Sequence, residues 1–70
     1  MNDGLTQLER QRLRKVIRKV VTNFKGMNFL VLDVAKYITG ENLVIFQALY
    51  GRNDVYALPV RIFLNEFKIK

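Results

Sequence analysis

The chain has 70 residues, a net charge of +6 and no cysteine, histidine, serine or tryptophan. A chain of this length makes one domain, 1–70, with a thin core, because it buries only about 60% of its unfolded surface. The missing residue types exclude disulfides, thiolate or imidazole metal sites, and nucleophilic catalysis by serine, cysteine or a histidine-activated group.

Residues 1–5 read as a loose start. Thr6-Gln7-Leu8-Glu9 has the form of a capping box, in which a hydroxyl accepts from the amide three residues on and a carboxylate reaches back. A basic helix is predicted over residues 6–25, from about Gln7 to Phe24. At about 100° per residue, Leu13, Val16, Ile17, Val20, Val21 and Phe24 share an arc of about 140°. Arg12, Arg14, Lys15, Arg18, Lys19 and Lys25 fall opposite. Gly26 is placed as the residue that ends the helix. The β-branched pairs Val16-Ile17 and Val20-Val21 lower helix propensity, so packing must hold this element.

The β-rich part, 27–70, opens with a strand over 27–38. Both parities of that strand are apolar in the middle, which predicts burial on both sides or a sharp bend. Gly40 marks a turn. Leu43–Tyr50 is the second strand, Gly51-Arg52-Asn53-Asp54 a hairpin turn, and Val55–Leu58 the third strand. Pro59 ends it, having no amide donor. Val60–Asn65 suits one helical turn. Glu66–Lys70 reads as a short edge strand whose lysines discourage further pairing. The expected class is therefore α+β: an N-terminal amphipathic helix packed on a small curved antiparallel sheet of four strands, forming an SH3-like partial barrel.

The runs Phe24-Lys25-Gly26, Val31-Leu32-Asp33-Val34-Ala35 and Gly40-Glu41-Asn42-Leu43-Val44-Ile45-Phe46-Gln47-Ala48-Leu49-Tyr50-Gly51, then Pro59 and Phe63-Leu64, resemble a bacterial and phage family catalogued as domain of unknown function 1653. The resemblance covers about residues 24–67. The chain departs from the family pattern at Tyr56, where tryptophan is usual, and at Leu58, where arginine usually precedes the proline. The resemblance implies a fold and supplies no activity.

Two residue sets point to binding. The cations are concentrated at one end: seven lie in the first 26 residues against two carboxylates. A face built from Arg12, Arg14, Lys15, Arg18, Lys19 and Lys25 suits an anionic partner, or serves as a solvated helix surface. The second set lies around the hairpin: Tyr37, Gln47, Tyr50, Arg52, Tyr56 and Arg61, with Asn53. Aromatics that stack a base, with Arg and Gln to orient it, suit a nucleotide. The structural alternative makes Tyr50 and Tyr56 a cross-strand pair and Gln47 a satisfied interior polar group, with Asp33 meeting Gln47 if their strands pair.

The scattered carboxylates and isolated glycines offer no metal or phosphate-loop spacing, so no enzyme activity and no cofactor is expected. The expected function is a non-enzymatic module that captures a phosphate-bearing small molecule or nucleotide, as a sponge or sensor. The family's occurrence in phages makes a host signalling nucleotide conceivable as the ligand. The alternatives are a nucleic-acid-binding regulator using the basic helix and an inhibitor or adaptor docking on an acidic protein. Half the residues are hydrophobic, so a homo-oligomer is expected to cover the surplus apolar surface. No apolar run reaches the roughly 18 residues of a membrane span and no signal pattern opens the chain, so a cytoplasmic protein with no membrane partner is expected.

Overall fold

The computed structural model describes residues 5–70. The loose start expected for residues 1–4 lies outside them, while Leu5 packs against the core. The elements, in order, are α1 (Gln7–Val16), β1 (Val20–Thr22), β2 (Asn28–Lys36), β3 (Asn42–Ala48), β4 (Val55–Pro59), α2 (Val60–Glu66) and β5 (Lys68–Ile69). The class is α+β, with one antiparallel sheet in the order β4-β3-β2-β1-β5. β4 and β5 are its two edges, so the sheet is open rather than a closed barrel.

The capping box forms. Thr6 Oγ1 accepts from the Glu9 amide at 3.1 Å, and Glu9 Oε1 accepts from the Thr6 amide at 2.8 Å. The helix it starts stops at Val16, eight residues before the predicted end at Phe24. Arg18 takes a left-handed φ of 64°. Its amide donates to the Val31 carbonyl at 2.9 Å, and the Val31 amide donates to the Lys19 carbonyl at 3.0 Å. The chain therefore turns into the sheet, and Val20 and Val21 become strand β1. Branching at Cβ suits a strand more than a helix, and β1 gains a neighbour on each side, β2 and β5. Val21 is fully buried there.

Phe24 is not part of the core, being 83% exposed. It sits in the β1–β2 turn, where Asn23 Oδ1 accepts from the amides of Lys25 and Met27. Gly26, with φ of 80°, completes this turn and does not cap a helix.

β2 explains the two apolar parities. Val31 opposes Phe46 and Asp33 opposes Ile45, so Leu32 is an extra residue in a β-bulge. A bulge swaps the faces of the residues on either side. Phe29 and Val31 point into the core before it, and Val34, opposite buried Val44, lies on the same face after it. The strand is bent rather than covered twice.

The remaining elements follow the sequence closely. Pro59 ends β4 and becomes the N-cap position of α2, which makes two turns where one was expected. β5 is a two-residue edge strand bearing Lys68. The core lies between the sheet and the two helices. Phe63 and Phe67 stack at 4.6 Å between centroids and both meet Phe46 at about the same depth, at 5.2 and 5.1 Å. Val16, Val60 and Leu64 close it from the helix side. Arg12 Nη2 donates to the Leu64 carbonyl at 2.8 Å and Arg61 Nε pairs with Glu9 Oε2 at 3.1 Å, tying α1 to α2.

Candidate functional site

The hairpin set divides. Gln47, Tyr50, Arg52 and Tyr56 gather at the end of the sheet that holds the β3–β4 turn. Gly51 and Asn53 both adopt positive φ in that turn, 58° and 57°, conformations glycine and asparagine tolerate best. Tyr50 and Tyr56 both rest against Phe29, at 5.6 and 6.3 Å between centroids. Each keeps 43% of its surface exposed. They are not a cross-strand pair: Tyr56 opposes Phe46 and stacks on it at 5.8 Å, while Tyr50 lies beyond the end of β3. Gln47 Nε2 donates to the Asn53 carbonyl at 3.0 Å, so its amide braces the turn.

Tyr37 and Arg61 do not join this group. Tyr37 follows β2, in the β2–β3 turn, where its amide donates to the Glu41 carbonyl at 2.7 Å. That is the opposite end of β3, about 20 Å away along a seven-residue strand. Arg61 stands on α2 and is engaged with Glu9. Asp33 and Gln47 do not meet either. Gln47 opposes Leu30, and Asp33 Oδ1 accepts from the adjacent Val34 amide at 2.7 Å. Their separation follows from the register, which sets Leu30 against Gln47 and leaves Asp33 three residues further along β2.

The basic set also divides. Arg12, Arg14 and Lys15 lie on α1, Arg18 and Lys19 on the link to β1, and Lys25 in the β1–β2 turn. Arg12 is committed to the Leu64 carbonyl. Lys25 Nζ sits 5.9 Å from the Phe24 ring centroid, a cation–π distance. Arg14, Lys15, Arg18 and Lys19 are close in the chain, all exposed and with no ion pair among the described residues; Arg14 borders a cleft with Leu5 and Val34, Lys15 a different one with Leu64 and Phe67. Two of them occupy the last turn of α1, where cations complement the helix dipole.

Some features carried no local sequence signal. Beside α1, Leu5, Arg10, Leu13, Arg14, Val34 and Asn42 line a cleft of about 250 Å³. Asn42 Nδ2 is buried, with no hydrogen-bond partner among the described residues. The Glu9–Arg61 pair joins positions 52 residues apart. The backbone amide of Thr6, foremost, and then the Arg61 guanidinium hold the Glu9 carboxyl below its ordinary value of 4.5. Among the described residues no three His, Cys, Asp or Glu side chains converge on a metal site.

A family model described as a protein of unknown function, DUF1653, matches residues 19–70. No curated protein and no solved structure matches the chain.

Proposed function

The chain belongs to the DUF1653 family, and we propose that it is a non-enzymatic cytoplasmic module that binds a polyanion, nucleic acid foremost, through Arg14, Lys15, Arg18 and Lys19. One observation carries this reading. These four exposed cations straddle a helix end and a left-handed turn that the backbone of β2 pins in place. Their backbone positions are therefore set before a ligand arrives, which spares the ordering cost of the chain that carries them. No carboxylate among the described residues competes with phosphates for them.

Four phosphate contacts imply a slope of log K against log salt of about −3 to −4. The test is fluorescence anisotropy with labelled duplex and single-stranded oligonucleotides across a salt series. Reversing Arg14, Arg18 and Lys19 to glutamate is expected to abolish binding while circular dichroism shows the fold kept, with a small loss of melting temperature from the anion placed in the last turn of α1. Absence of binding at low salt, or binding indifferent to the reversal, sinks the proposal.

A second reading, capture of a nucleotide, is favoured by the half-exposed Tyr50 and Tyr56 set against Phe29 beside exposed Arg52. Base stacking on such rings contributes about 1–3 kcal/mol per base. It predicts an affinity lost in Tyr50→Ala and kept in the triple reversal. The order of the strands, with α2 between β4 and β5 and a bulge bending β2, supports reading the open sheet as a partial SH3-like barrel.

A further inference from the structure

Both helices pack on one face of the sheet. Among the described residues nothing covers the other. Register places Val20, Leu30, Leu43, Ile45 and Val55 on this second face, across β1 to β4. None of them belongs to the core cluster or packs against it. Val55 is 56% exposed, and the others are half-buried. We propose that this face is where a second copy of the chain docks, sheet against sheet.

Charge selects that occupant. The molecule carries 12 Lys and Arg residues, yet the outward positions of β2, β3 and β4 hold none. Lys68 and Lys70 stand at the far rim, on and after β5. A nucleic acid or an acidic protein finds cations only at that rim and none across β2 to β4. A membrane finds no aromatic anchor among the outward positions of β2 to β4. For two chains of +6, it is the broad surface that can be brought together without opposing cations, since like charges in contact cost several kcal/mol.

The polar residues on the face agree with this reading. Gln47 turns its amide to the Asn53 carbonyl and Asp33 turns Oδ1 to the Val34 amide. Both thus have an internal partner for part of their polar capacity. Asp33 is the single charge among the outward positions of β2 to β4.

Four strands about 4.8 Å apart and about five residues long span a plane of about 320 Å². A standard interface buries about 800 Å² per partner. The association is accordingly reversible and concentration-dependent, in the class of small transient contacts. Two sheets about 10 Å apart with strands within about 30° of each other is the packing that twisted sheets favour.

The test is sedimentation velocity on the full chain from about 1 µM to about 1 mM, the range in which so small an interface dissociates. The wild type should pass from monomer to dimer, with the dimer favoured by added salt, which screens the mutual repulsion. Val55→Lys should raise the dissociation constant about tenfold or more without changing the melting temperature, because Val55 is exposed in the monomer. Ile45→Lys should do the same, with circular dichroism to establish that the sheet persists. Asp33→Asn should tighten the dimer. A wild type that stays monomeric to the top of the range overturns the proposal. So does a dimer that both lysine variants leave intact.

Discussion

Arg18→Gly should stabilise the protein and weaken its binding of a polyanion at the same time. Arg18 holds φ of 64°, a region that costs a residue with a Cβ about 1–2 kcal/mol. Glycine adopts it without that cost but loses more backbone entropy on folding, about 0.5–1 kcal/mol. The difference favours glycine by about 0.5–1 kcal/mol. The amide bond to the Val31 carbonyl survives, since it belongs to the backbone. In a domain of 60–100 residues 1 kcal/mol moves the melting temperature by about 4–8 °C, so the variant should melt about 2–8 °C higher. Loss of one phosphate contact should flatten the salt slope by about 0.9. Arg18→Ala is the control: it loses the same charge, keeps the strained backbone and should melt close to the wild type. Calorimetric melts of the three proteins decide the matter. Glycine and alanine variants that melt together, at or below the wild type, would refute the assignment of strain to this turn.

Two further perturbations probe the elements on either side of that turn. Val21→Ala should cost about 2 kcal/mol, from two buried methyl groups and the space they leave. Phe24→Ser should stay within about 0.5 kcal/mol of the wild type; urea titrations giving the reverse order would restore a helix through residue 24. Thr6→Ala should cost about 1 kcal/mol through loss of the N-cap. Glu9 adds a pH dependence of known sign. Its folded pKa lies below its ordinary value of 4.5. Its contribution is therefore complete above that value and lost as pH falls through the folded pKa. The stability gap between the wild type and Glu9→Gln should shrink on acidification, and a gap that widens would contradict the pairing.

Features whose determinants are local were legible in the sequence. The capping box needs only residues 6–9, the β3–β4 turn only Gly51 to Asp54, and the end of β4 only Pro59. β1 was hidden because Val20 and Val21 satisfy a helical arc and a strand equally well, and only the pairing with β2 and β5 decides between them. Phe24 was misplaced by the same ambiguity. The candidate ligand set was misjudged over longer distance. Tyr37 and Arg61 look like partners of Gln47 until the path of the chain is known, which sets Tyr37 at the opposite end of β3 and Arg61 on α2. The two apolar parities of β2 mark its bend but not the residue, Leu32, at which it falls. The cluster of cations survived in reduced form, because four of its six members lie within residues 14–19 and move together wherever the chain turns.

The position of α1 bears on what counts as one folding unit here. The segment shared with the family begins at residue 19, after the helix has ended. Yet Leu13 and Val16 complete the apolar lid, and Arg12 satisfies a carbonyl on α2. A fragment cut at the family boundary would keep all five strands while baring Leu64 to water and forfeiting the turn at Arg18 that aims β1. Its melting curve should fall below that of the whole chain. The inherited module and the self-supporting one are thus different lengths of polypeptide, and the extra piece also brings the charges.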